Sequence, residues 1–129
     1  MWEGLGYYRR ARNLLACSKE LINNYKSKLP KTLEEIKKLP GVGEYTGNAL
    51  LALIYDKPTI AIDGNVKRVF SRNLNREEKR LNFGKLVERN KKNLLNTNRN
   101  ADFVEALMEF GALICKPKYP NCKICCLNK

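Results

Sequence analysis

The stretch LPGVGEYTG, Leu39 to Gly47, constrains the fold more than any other part of the chain. A proline followed by Gly41 and Gly43 ends one helix and lets the backbone turn tightly before the next. Upstream, Thr32 to Lys38 carries a helix-start signature, with Thr32 as N-cap and Glu35 as its capping-box partner. Downstream, YTGNALLALIY is apolar enough for a buried helix. Together they spell a helix–turn–helix hairpin over about residues 32–55. Two glycines at a helix start leave N–H groups uncovered, and with the helix dipole these suit an anion such as a phosphate. The plainer alternative is a tight turn with no ligand.

Elsewhere apolar residues recur at helical spacing and the strand signal is weak, so the expected fold class is all-α. The spacing predicts helices at Tyr8–Tyr25, Leu33–Leu39, Thr46–Tyr55, Asn65–Asn73, Arg76–Leu95 and Asp102–Ile114. PTIAI could form a short extended stretch that delivers Asp63 to a helix N-terminus. A length of 129 residues suits one compact unit with a single core. With no run near the roughly 18 apolar residues of a membrane span, and no charged-then-apolar leader, no membrane partner is expected. The expectation is an intracellular monomer, cytoplasmic in a bacterium or nuclear in a eukaryote.

The charge balance is 25 Lys and Arg against 13 Asp and Glu, a net +12 spread along the chain, which points to an anionic polymer as partner. Lys37, Lys38, Lys67, Arg68 and Arg72 are candidate phosphate contacts, which would grip a backbone without reading sequence. There is no histidine, so serine–histidine and cysteine–histidine dyads and histidine metal sites are excluded. Cys17 stands alone, but Cys115, Cys122 and Cys125 form a C-x6-C-x2-C run that brings three thiolates within reach of one metal centre. Zinc and an iron–sulfur cluster both fit that spacing.

Asp63, in AIDGNVKRVFSR, precedes a helix start, where a carboxylate ordinarily caps backbone N–H groups. It can equally be aimed at developing positive charge, and the two roles are compatible. Tyr7 and Tyr8, in WEGLGYYRRARNLL, are either packing residues or, if exposed at a glycine turn, aromatics that slide between bases.

GLGYYRRARNL, LPGVGEYTG, IDGNVKRV and the cysteine run resemble, in order and spacing, the catalytic domain of MutY-type adenine DNA glycosylases. These belong to the helix-hairpin-helix superfamily that includes endonuclease III. The resemblance implies hydrolysis of the N-glycosidic bond of adenine opposite 8-oxoguanine or guanine in double-stranded DNA, with a 4Fe-4S cluster on Cys115, Cys122 and Cys125. Asp63 would face the sugar of an extruded nucleotide, Tyr45 would line its pocket, and Asn65 would support Asp63 or the DNA. Tyr7 would be the stack wedge, the amides of Leu39, Gly41, Val42 and Gly43 would hold the phosphate backbone, and Lys67 and Arg68 would lie against DNA. Tyr45 stands where endonuclease III-like enzymes carry a lysine nucleophile, which favours the adenine branch.

Two features depart from the family pattern. Its general-acid glutamate lies upstream of the first motif, and its fourth cluster cysteine would fall six residues after Cys125; Cys126 stands where a proline is usual and adjoins an existing ligand. The chain therefore reads as a fragment. The alternatives are a DNA-binding remnant with a structural metal, a zinc-bearing nucleic-acid module, or an endonuclease III-like glycosylase for another base.

Overall fold

The computed structural model describes residue 3, residues 6–95 and residues 98–128, and no strand occurs among them. Trp2, Gly4 and Leu5 of the opening motif, and Lys129 at the end of the cysteine loop, lie outside the described residues. The helices are α1 (Tyr8–Asn24), α2 (Leu33–Ile36), α3 (Glu44–Tyr55), α4 (Gly64–Asn73), α5 (Phe83–Leu94) and α6 (Asn100–Glu109). None is long and apolar enough to cross a membrane. The chain clusters into two compact units, Met1–Gly47 and Asn48–Lys129, a subdivision that composition does not announce.

In the first unit, α1 ends where Lys26 and Ser27 turn left-handed and the Ser27 N–H reaches back to the Leu21 carbonyl. The predicted cap of α2 is present: the Thr32 side chain accepts the Glu35 N–H at 3.3 Å and donates to the Glu35 carboxylate at 2.8 Å. The helix is shorter than the Leu33–Leu39 expected. After one turn, the Lys38 and Leu39 N–H groups shift to carbonyls three residues back, and Pro40 follows. Gly41 then adopts φ +79°, and a Cβ there would sit 2.6 Å from Cβ of Asn13 on α1. The position needs glycine for both its torsion and its clearance.

In the second unit the core joins Ala52 of α3, Ile60 and Ala61 of the PTIAI segment, Val66 of α4, Leu95, and Val104 of α6. PTIAI forms neither helix nor strand: it bends at Pro58, where the Thr59 N–H turns back to Lys57 O at 2.8 Å, and it leads to Asp63 in extended backbone at the head of α4. Asp56 closes α3 onto α6: its carbonyl accepts the Asn100 side chain at 2.9 Å and its carboxylate accepts the Ala101 N–H at 2.7 Å.

The single helix predicted for Arg76–Leu95 does not form. A 3₁₀ turn, Glu78–Arg80, gives way to extended backbone at Leu81. Asn82 then starts α5 afresh by accepting the Lys85 N–H at 3.0 Å. The segment REEKR has no apolar stripe to bury, whereas an asparagine side chain offers the backbone a cap, so the local competition favours a break.

The expected Asp102–Ile114 helix starts two residues earlier and changes pitch, finishing as a π turn over Phe110–Ile114. There the Cys115 N–H skips to the Phe110 carbonyl at 2.8 Å, which releases the carbonyl of Gly111 from its usual helical partner. Gly111 is buried against α4 so closely that a Cβ would lie 2.7 Å from Asn65 Cβ and 3.2 Å from its backbone. Backbone cannot swing aside as a long side chain can. Gly111→Ala should therefore destabilise the fold by about 1–3 kcal/mol, as overpacked sites do, read as a lower urea midpoint at unchanged slope. Gly84→Ala is the control, because its Cβ would meet nothing nearer than Asn82 Oδ1 at 3.6 Å in a helix that gains from alanine.

Candidate nucleic-acid interface

The hairpin's turn, between α2 and the start of α3, belongs to the first unit. Of the amides assigned to a phosphate, two are already engaged: the Leu39 N–H donates to Ile36 O at 3.0 Å and the Val42 N–H to Leu39 O at 3.1 Å. Leu39 is itself buried. These bonds shape the turn, and the amides of Gly41 and Gly43, both exposed, are left as the donors a passing phosphate could use. Tyr45, in the first turn of α3, is 40% exposed.

Tyr7 settles the packing question for its motif. It sits in left-handed backbone (φ 47°) immediately before α1, 79% exposed, with the Arg10 guanidinium 5.1 Å from its ring centroid. A cation over one face of an exposed ring suits a wedge beside a charged backbone better than a core residue. Tyr8 is likewise exposed.

The second unit carries Asp63, half-buried at the N-cap of α4. Its Oδ1 accepts the Val66 N–H at 2.8 Å and its Oδ2 accepts Asn65 Nδ2 at 3.1 Å. The capping role is thus real, and it fixes the carboxylate's orientation. Asn65 supports Asp63, as one of its two expected roles had it. Asn65 in turn accepts Arg68 Nη2 on Oδ1 at 2.7 Å.

Arg68 was placed against DNA by sequence, but its guanidinium turns inward. Besides Asn65 it donates to Gly111 O at 2.6 Å and to Cys115 O at 2.7 Å. The Gly111 acceptor is the carbonyl that the π turn sets free. Arg72, one turn on, donates to Lys116 O at 2.7 Å, to Pro117 O at 3.1 Å and to Cys115 Sγ at 3.5 Å. Lys67 is half-buried with its ammonium 5.8 Å from the Phe83 ring centroid. Gly111 was missed entirely; the only hint was an isolated glycine inside a helical pattern, which usually marks close packing.

The five cysteines form no disulfide. Cys115, Cys122 and Cys125 line one cavity of about 120 Å³, together with Val69, Phe110, Ile114 and Leu127. The C-x2-C step is a 3₁₀ turn, closed by the Cys125 N–H on Cys122 O at 3.3 Å, and Asn128 Nδ2 braces the same carbonyl at 3.1 Å. Cys126 is exposed and is not among the cavity's lining residues. Among the described residues no group of three His, Cys, Asp or Glu side chains is placed to hold one metal ion. Two cations flank buried Cys115, and among the described residues neither has a carboxylate ion-pair partner. A centre made anionic by thiolates would supply the missing counter-charge, so the three thiols and their cationic neighbours fit a thiolate-bound metal centre. Cys17 is different: burial, with repulsion from Glu20, pushes its thiol pKa up, which favours the neutral thiol over the thiolate that would bind metal. Lys116, Lys118 and Lys123 are exposed around Tyr119, itself 90% exposed, and give the loop a basic, aromatic surface.

The helix-hairpin-helix motif family matches residues 24–53. The adenine DNA glycosylase of Schizosaccharomyces pombe is 36% identical over 132 aligned positions, which cover 100% of this chain and 29% of the yeast protein. A thermostable thymine-DNA glycosylase of known structure superposes with a TM-score of 0.75 at 30% identity, over 92% of this chain and 55% of that one. Endonuclease III, trapped as a covalent intermediate with DNA, gives 0.67 at 31% identity, over 96% and 57%. The chain spans under a third of its yeast relative and just over half of each solved structure. The chain carries the helix-hairpin-helix motif and, along nearly its whole length, is similar in sequence and in fold to DNA glycosylases.

Proposed function

We propose that the chain is part of a base-excision DNA glycosylase that releases adenine paired with 8-oxoguanine or guanine, with Asp63 as the central carboxylate. The observation that carries this reading is a carboxylate held in one orientation by Val66 N–H and the Asn65 amide, at the position that matches the family's motif. Breaking the glycosidic bond sends its electron pair out with the base and leaves positive charge on the sugar. A carboxylate already oriented toward that charge stabilises it without reorganising as it forms, or captures it covalently before water completes hydrolysis. The base must first leave the stack, which costs a few kcal/mol and least at a mismatch. Tyr7 would fill or prop the gap, the Gly41 and Gly43 amides would hold the backbone, and Tyr45 would line the pocket.

Cys115, Cys122 and Cys125 would hold a 4Fe-4S cluster, which when bound cross-links the loop rather than supplying a reacting atom; zinc is the alternative occupant. The partner is double-stranded DNA, engaged by the chain as a monomer, in the cytoplasm of a bacterium or the nucleus of a eukaryote. A second base specificity is favoured by one finding, the likeness to a thymine-DNA glycosylase.

The test is release of free base from duplexes containing adenine opposite 8-oxoguanine or thymine opposite guanine, at protein concentrations where all variants bind. Adenine release is expected, with Asp63→Asn reducing it by at least about 10²-fold, the scale of losing one positioned electrostatic group. Equal and negligible release by both proteins would leave DNA binding as the only supported activity, and thymine release would move the chain to another branch. In duplex binding, log affinity should fall with log salt by about 0.9 per phosphate neutralised. Lys118→Gln is expected to lower that slope by about 1, whereas Arg68→Gln should leave it unchanged because its guanidinium faces inward. A flattened slope for Arg68→Gln would restore it to the DNA surface.

A further inference from the structure

We infer that Arg72 is the cationic hydrogen-bond donor to the Cys115 sulfur and thereby sets the reduction potential and the retention of the centre held by the cysteine loop. This rests on reading the loop as an iron–sulfur site. Arg72 is the second of two arginines one turn apart on α4, and its fork spans three consecutive positions: Cys115 Sγ at 3.5 Å, Lys116 O at 2.7 Å and Pro117 O at 3.1 Å. A planar guanidinium is suited to such a span, and a lysine ammonium is not.

Cys115 is only 8% exposed, whereas Cys122 is exposed and Cys125 half-buried. A metal-bound cysteine is a thiolate, and a buried anion is costly unless a donor or counter-charge faces it. Arg72 provides both, at the least solvated of the three sulfurs. Were Cys115 only a packing thiol, a guanidinium with no carboxylate partner among the described residues would be aimed at a weak, neutral acceptor.

Hydrogen bonds to ligand sulfurs and nearby positive charge favour the more reduced, more negative form of an iron–sulfur centre, so they raise its potential. Arg72→Gln removes the charge and shortens the fork. Arg72→Lys keeps the charge but cannot reach all three acceptors. Arg76→Gln deletes the same charge from an exposed side chain with no hydrogen bond or ion pair among the described residues.

Iron and acid-labile sulfide are counted first in the anaerobically purified chain; the midpoint potential is then titrated, and iron release to a chelator is followed by the loss of visible absorbance. Arg72→Gln is expected to shift the potential negative and release iron several-fold faster than the parent. Arg72→Lys should fall between them, and Arg76→Gln should match the parent. If Arg72→Gln fails to fold, Arg72→Lys against Arg76→Gln carries the comparison. Equal potentials for the Arg72 and Arg76 variants, even with faster iron loss, would make Arg72 a mere clamp on the loop and overturn the inference. Zinc without sulfide would overturn the iron–sulfur reading itself, before any variant is compared.

Discussion

A half-buried carboxylate keeps one orientation only if both its oxygens have donors, and Asp63 finds them on the first turn of its own helix. Much of the second unit serves that arrangement. The Asn65 amide can hold one carboxylate oxygen because Arg68 fixes its other end. Arg68 can do so because the π turn leaves the Gly111 carbonyl for it, and because glycine at that position lets the last turn of the α6 segment touch Asn65 directly. Each bond is modest in net worth, about 1 kcal/mol, but leaving any buried member unpaired costs more than the bond contributes. The network therefore behaves as one object, and its weakest requirement is steric.

Helix existence was legible from apolar spacing, and so was the hairpin, because proline, two glycines and a capping pair leave the backbone few choices at residues 32–47. The cap of α4 was legible too: an aspartate before a helix start has a short list of roles. What sequence did not convey were features decided by tertiary contact. The break before α5 turned on one asparagine out-competing a charged, stripe-less segment for the backbone. The π turn and the role of Gly111 depend on how close α4 lies, and no local signal encodes that distance. Arg68 was misplaced for the same reason, since a guanidinium in a basic helix looks alike from sequence whether it meets phosphate or a carbonyl.

Net charge is consequently a coarse guide to an interface. The +12 balance points to a polyanion, yet the cations on α4 are not interchangeable. Arg68 and Arg72 satisfy carbonyls and a sulfur, and Lys67 lies against an aromatic ring. The charges that remain for an external phosphate lie elsewhere, on exposed side chains such as Lys37 and Lys38 ahead of the hairpin turn and Lys116, Lys118 and Lys123 of the cysteine loop, while the turn itself offers uncharged amides. Strong electrostatic attraction and the placement of the chemistry are therefore assigned to different residues, so one can be altered without the other.

The capping and functional readings of Asp63 are compatible, and the geometry gives a physical reason. A free carboxylate on a flexible turn would have to be oriented at the moment charge develops on a sugar, and that reorganisation would offset much of what it stabilises. A capped carboxylate has already been oriented by folding. Among the described residues each oxygen accepts one hydrogen bond, and a carboxylate oxygen has two lone pairs, so acceptor capacity remains on both. On the proposed reading, the helix start that uses Asp63 for its own stability would also prepare it for a cation.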